Sequence, residues 1–197
     1  LSMGALALCL GRTGWQINSL NIRVSAVSDL VVIDAYARFW KILLYGVAGL
    51  TILMSMPYLK AERIQLGEYY GFILLALSGM MVMISGADLL TIYLGTELMS
   101  LSLYVMTGLN RSKPRSLEAA AKYFVLGAFS SGILLYGISL LYGVAGSTKL
   151  ASIASAIGTR GADDPLVLAA TVLIAVGFCF KLAAVPFHMW TPDVYQG

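Results

Sequence analysis

Leu166-Val167-Leu168-Ala169-Ala170-Thr171-Val172-Leu173-Ile174-Ala175-Val176-Gly177-Phe178-Cys179-Phe180-Lys181-Leu182-Ala183-Ala184-Val185-Pro186-Phe187 is the stretch that decides the fold. Lys181 is its one charged residue. A helix of this length rises about 33 Å at 1.5 Å per residue, enough to cross a hydrocarbon layer of about 30 Å. A soluble helix would show a polar face opposite an apolar one. This stretch is apolar all round, and a water-facing surface has nowhere to form.

Working outward, the same composition recurs in blocks at about 36–57, 70–86, 88–109 and 117–143. Over the 197 residues, 59% are hydrophobic and 12% are charged, against roughly 25% charged in soluble domains. The expected fold class is therefore all-α, a polytopic transmembrane helix bundle. Residues 36–197 are read as that bundle, with five helices, the last spanning 165–195 and broken near Pro186. Residues 1–10 are read as the end of a truncated transmembrane helix, since the run is too short to span and no basic segment precedes it as in a signal peptide. Residues 11–35 are read as an extracytoplasmic loop.

The polar connections support these limits. Ser116 is a candidate cap for the helix at 117, with Glu118 in its first turn, and Asp164-Pro165 supplies a cap and a first-turn proline to the last helix. Loops 58–69 and 110–116 fall on one side and hold five Lys/Arg; loops 11–35 and 146–164 fall on the other and hold four in a longer stretch. By density the first pair is expected to be cytoplasmic. A net charge of +3 scattered over short loops argues against nucleic acid. Cys9 and Cys179 sit in apolar runs as packing residues, and the sequence has no cysteine and histidine cluster with metal-ligand spacing.

Function in such a chain is sought where a charge lies in hydrocarbon, because burial there costs from about 3 to more than 10 kcal/mol. Glu97 lies near the middle of the 88–109 block. Tyr93, Glu97, Ser100, Tyr104 and Thr107 follow at helical spacing and form one polar stripe. Lys181 is followed five residues later by Pro186, which removes a backbone donor and clashes with the carbonyl of Leu182. Discontinuous helices of this kind recur in ion transporters. Lys122 lies in the second turn of its helix, where reaching back to the surface explains it as well as function does. His188, the single histidine, has a side chain suited to proton exchange or to packing among aromatics. A carboxylate about 7 Å from an ammonium is worth about 2.4 kcal/mol at an effective dielectric of about 20. Desolvation opposes that attraction at comparable size, so moving one group can make the lysine hold or release a proton near neutral pH. Glu97 and Lys181 are expected to face one another across the interior.

At these residues the sequence resembles a known family. Tyr93-Leu94-Gly95-Thr96-Glu97-Leu98-Met99-Ser100-Leu101 looks like the fifth-helix glutamate motif of the antiporter-like subunits of respiratory complex I. Arg115-Ser116-Leu117-Glu118-Ala119-Ala120-Ala121-Lys122-Tyr123-Phe124 looks like the start of their next helix. Phe180-Lys181-Leu182-Ala183-Ala184-Val185-Pro186-Phe187-His188-Met189-Trp190-Thr191-Pro192-Asp193 looks like their broken seventh helix. The ending Val194-Tyr195-Gln196 differs from what is usual in the L- and M-type subunits and in Mrp-type antiporters.

The resemblance implies an antiporter-like fold of fourteen helices with two inverted five-helix repeats, of which this chain would run from the end of helix two through helix seven. It implies that Glu97, Lys122 and Lys181 belong to a proton path, with Glu97 and Lys181 as a coupled pair. It implies no cofactor in this chain: NADH, flavin, iron–sulfur clusters and quinone belong to other subunits of the complex. The implied partners are the other membrane subunits of complex I, the lipid bilayer and protons, in a bacterial inner membrane. Two other functions stay open, a Mrp-type cation/proton antiporter subunit and a membrane scaffold whose buried charges are only structural.

Overall fold

The computed structural model describes residue 4, residues 24–26, 29–62 and 66–196. Apart from Gly4, the segment read as a truncated helix at 1–10 lies outside the described residues. From residue 24 on, the described residues open with a short antiparallel hairpin, β1 (Val24–Ala26) and β2 (Val31–Ile33). Helices follow: α1 (Ala35–Glu62), α2 (Leu66–Ser85), α3 (Leu89–Thr107), α4 (Pro114–Ala145), α5 (Leu150–Arg160), α6 (Pro165–Lys181) and α7 (Thr191–Gln196). α1 to α4 are each long and apolar enough to cross a membrane, and α6 is a shorter apolar helix beside them. Many large apolar side chains point outward, among them Met54, Phe129 and Leu168. Lipid is the solvent that such an exterior requires.

Three expectations are corrected. The segment 11–35 is not all loop, because its end carries the hairpin. The 146–164 connection holds α5, whose Ile153 is buried against α3, α4 and α6. The start of α4 is Pro114, with Lys113 at the cap position and no side-chain cap; Ser116 Oγ donates instead to the Thr107 carbonyl at 2.6 Å. A first-turn proline lacks only an N–H that would be unsatisfied anyway, so the helix starts there.

Both ends of the bundle are tied by polar contacts. At one end Lys113 pairs with Glu62 at 2.6 Å and Arg111 with Glu68 at 3.7 Å. The hydrogen bond to Glu62 holds the Lys113 ammonium above the usual lysine range. At the other end Asp88, which is 2% exposed, caps α3 through the N–H groups of Leu90 and Thr91 and accepts from Thr148 Oγ1 at 2.5 Å. Leu89 N donates to the Thr148 carbonyl and Ala87 N to that of Leu30. Asp29, paired with Lys149 at 3.5 Å, is held below the usual carboxylate range by a Ser25 hydrogen bond and by that lysine. Loops 58–69 and 110–116 therefore share one end, and the hairpin and the 146–164 connection share the other, as the alternation of spans requires.

Close approach of helices depends on particular glycines. A Cβ on Gly95 would lie 2.7 Å from the Met83 backbone nitrogen, and one on Gly79 would lie 2.6 Å from the Gly95 carbonyl oxygen. α2 and α3 thus pack backbone against backbone, as small residues permit in membranes. Gly95→Ala should cost about 1–3 kcal/mol by overpacking and lower the amount of subunit in the membrane. Gly143, with no atom within 4 Å of its would-be Cβ, is the control. Equal accumulation of Gly95→Ala and Gly143→Ala subunits would contradict the close packing.

Candidate functional site

Glu97 is the ninth residue of α3, near the middle of its 19 residues. With Ser100 and Tyr104 at spacings of three and four, it forms part of a face turned toward α4 and α6. α4 contributes Ser131. α6 contributes Lys181, its last residue. The Lys181 ammonium lies 3.2 Å from Glu97 Oε1, 2.9 Å from Ser100 Oγ, 3.0 Å from Ser131 Oγ and 3.2 Å from Tyr104 OH. Three N–H groups face four oxygens, so the contacts are shared rather than each fully occupied. Ser131 Oγ donates to Glu97 Oε1 at 2.5 Å. The serine is thus both acceptor from the lysine and donor to the carboxylate, a bridge beside the direct ion pair.

The protein's own packing encloses most of the cluster. Ser100, Tyr104 and Ser131 are 4% exposed or less, and the Lys181 and Glu97 side chains are 10% and 20% exposed. Toward the end carrying α5, Leu89, Leu134, Ile138, Leu141, Ile153 and Ala170 fill the interior between α3, α4 and α6. Tyr93 packs against that cluster, and Thr107 Oγ1 returns to the Leu103 carbonyl. The polar stripe read along α3 therefore divides: its middle three members meet Lys181 and its two ends do not.

Helix α6 stops at Lys181, five residues before the proline. Ala183 adopts a left-handed φ of 53°. Ala184 N donates to the Cys179 carbonyl at 2.8 Å and Ala183 N to that of Phe180 at 3.0 Å. This pair of bonds is a Schellman ending, here built on alanine where glycine is usual. Termination is thus a local backbone event upstream, and the clash expected between Pro186 and Leu182 falls on a residue already at the cap. The ending leaves Lys181 at an interior helix terminus. That is also where the dipole of α6 favours a cation.

Lys122 and His188 stand apart from this cluster. Lys122 Nζ lies 2.8 Å from Glu118 Oε1 and 2.9 Å from Asp193 Oδ2, with its side chain 46% exposed. The His188 side chain makes no hydrogen bond or ion pair among the described residues, while its carbonyl accepts from Thr191 N. No group of three or more His, Cys, Asp or Glu residues suited to a metal occurs among the described residues. Two participants were not singled out by sequence as functional, Ser131 and Asp193. Ser131 stands four residues after Gly127, a spacing that reads equally as helix packing.

A Glu–Lys pair bridged by a hydroxyl can pass a proton between carboxylate, serine and amine with small movements, because each donor already touches an acceptor. Comparison with known proteins finds relatives among subunits of membrane complexes. Residues 86–197 match the family model described as NADH:quinone oxidoreductase/Mrp antiporter, TM. The chain is 50% identical over 186 residues to a protein of Trichlorobacter lovleyi named NADH-quinone oxidoreductase subunit N, covering 94% of this chain and 37% of that one. It is 44% identical over 202 residues to the protein of the same name from Paramagnetospirillum magneticum, covering 100% of this chain and 40% of the relative. Among solved structures it resembles a chain of respiratory complex I from Thermus thermophilus with a TM-score of 0.77 and 32% identity, covering 100% of this chain and 41% of that one. A chain of an archaeal membrane-bound sulfane sulfur reductase has the same fold with a TM-score of 0.83 at 23% identity, covering 97% of this chain and 40% of its own. The chain thus spans about two fifths of the length of these relatives.

Proposed function

The chain belongs to the NADH:quinone oxidoreductase/Mrp antiporter transmembrane family, and from that premise we propose that it is part of a proton-translocating membrane subunit of a bacterial NADH-quinone oxidoreductase. The observation that carries this reading is the largely enclosed Glu97–Lys181 pair at 3.2 Å, bridged by Ser131. Electron transfer belongs, in this reading, to partner subunits that hold the redox cofactors. This chain holds protons: Lys181 is the site of occupancy, Glu97 its counter-charge, and Ser131 the bridge between them. A lysine serves here because its ammonium can lose a proton once burial opposes its charge and Glu97 no longer balances it.

The oxidoreductase reading is favoured over a Mrp antiporter because the relatives at 50% and 44% identity both carry the name NADH-quinone oxidoreductase subunit N. The test uses the full-length subunit assembled in its complex, in sealed vesicles of the inner membrane. Electron input should acidify the lumen without any requirement for sodium, and neutralising the pair should abolish the acidification. Undiminished acidification in the neutralised variant, or a strict dependence on sodium, would overturn the reading.

Gly127 supplies a second, smaller test. A Cβ there would fall on the hydroxyl end of Tyr104, whose ring also packs edge-on with Tyr123 and Phe124. Gly127→Ala should therefore push the phenol off Lys181 while leaving both charges in place. Loss of one hydrogen bond to a charged group, about 1.5–3 kcal/mol, should lower proton translocation by roughly ten- to a hundredfold. Normal translocation with the subunit fully assembled would show that the Tyr104 contact is dispensable.

A further inference from the structure

We propose that Trp190, which lies beyond the helix ending and touches neither Glu97 nor Lys181 Nζ, is a positioning residue for the Lys181 ammonium. The proposal deepens the proton-path reading and rests on it. Trp190 is 8% exposed. Its indole Nε1 donates to the Phe180 carbonyl at 3.1 Å. That carbonyl belongs to the residue directly before Lys181 and also accepts from Ala183 N, so both of its lone pairs are engaged. The indole ring stacks on Tyr123 with centroids 4.6 Å apart and planes 9° from parallel. Tyr123 packs edge-on against Tyr104 at 4.5 Å, and Tyr104 OH accepts from Lys181 Nζ at 3.2 Å. The contacts close a circuit. It runs from the Lys181 backbone through Phe180, Trp190, Tyr123 and Tyr104 to the tip of the same lysine.

The circuit constrains Lys181 at both ends. The indole N–H fixes the carbonyl of the peptide bond that joins Phe180 to the lysine, and the stacked rings fix the phenol that meets its ammonium. Aromatic pairs of this geometry add about 0.5–1.5 kcal/mol beyond area burial, and a ring locked on two sides cannot follow a rotation of its neighbour. Trp190 is itself anchored by the next segment, since Asp193 of α7 pairs with Lys122 of α4 at 2.9 Å and Val194 N donates to the Trp190 carbonyl. Lys122 then acts here through the placement of α7 and Trp190.

The experiment measures the pH dependence of proton translocation by the assembled complex with Trp190→Phe or Trp190→Leu, each in the Tyr104 and the Tyr104→Phe backgrounds. Phenylalanine keeps a ring and loses the N–H; leucine loses both. With Tyr104 present, both should displace the pH profile by about half a unit or more, in the same sense as Glu97→Gln. With Tyr104→Phe, the further displacement should be smaller, because only the hold on the Phe180 carbonyl is then left to lose. Where a Trp190 variant fails to assemble, Tyr123→Leu breaks the circuit from α4 and carries the same test. A lowered rate with an unmoved profile, or an equal displacement in the Tyr104→Phe background, would overturn the proposal. If Glu97→Gln moves the profile and Trp190→Phe does not, only the positioning role fails. An unchanged Glu97→Gln profile and rate would remove the proton-path reading and this proposal with it.

Discussion

Lys181→Ala should reduce proton translocation at least about a hundredfold. The ammonium contacts four oxygens contributed by α3 and α4, and its removal leaves the Glu97 carboxylate buried with one hydroxyl donor, Ser131. Breaking a buried pair by deleting one partner costs about 3–5 kcal/mol. That cost falls on stability and assembly; the hundredfold loss of translocation follows from removing the titrating group itself, equivalent to about 2.8 kcal/mol on the transfer barrier. Lys181→Arg tests a different property. Guanidinium restores the charge but scarcely releases a proton. It should assemble as well as the parent yet translocate far less. Lumen acidification per electron transferred measures both variants. An alanine variant retaining more than half of the parent activity would exclude Lys181 from the path.

The second large effect belongs to Glu97. At 3.2 Å and an effective dielectric of about 20, the pair's attraction is about 5 kcal/mol, offset in part by the desolvation of both groups. Glu97→Gln keeps an oxygen able to accept from Ser131 and Lys181, so shape and most hydrogen bonds survive while the charge does not. Translocation should fall more than about tenfold at neutral pH. Glu97→Asp keeps the charge on a side chain shorter by one methylene and should retain more activity than the amide. The order matters more than either value. Glutamine equal to or better than aspartate would mean that the charge of Glu97 is not what the lysine responds to.

Legibility from sequence followed the cost of burial. Glu97 and Lys181 were conspicuous because a charge in an apolar run has no ordinary reason to persist. Ser131 was not, because a serine four residues from a glycine is common on any packed membrane helix. Gly127 likewise reads as a packing residue; only the position of the Tyr104 hydroxyl shows that it makes room for a site group. Trp190 and Tyr123 look like interfacial aromatics. Their parallel stack joins residues 67 apart in the chain, a separation at which no local pattern operates.

The last long helix ends five residues before the proline that signals the break. Proline is a visible stop signal, whereas a left-handed alanine is not, since alanine is the best helix former and nothing in its side chain announces Ala183 as an ending. α5 was missed for a related reason. Leu150–Arg160 is short and only partly apolar, and it is held by burial of Ile153 against three other helices, which is tertiary rather than local.

The sequence by itself determined that the chain is a bundle of membrane-spanning helices, where those spans lie to within a few residues, and which two charges sit at costly depth. These properties are carried by composition and by distance along one helix, where hydropathy and a rise of 1.5 Å per residue suffice. The tertiary structure alone decided which oxygens surround the ammonium, that Ser131 bridges it to the carboxylate, that Lys122 pairs with Glu118 and Asp193 away from that site, and that His188 joins neither. Contacts between α3, α4 and α6 depend on the rotation of each helix about its axis. That rotation is set by the close packing of residues such as Gly137 against Ile174 and Gly177 against Leu134, because packed interiors admit few alternative registers.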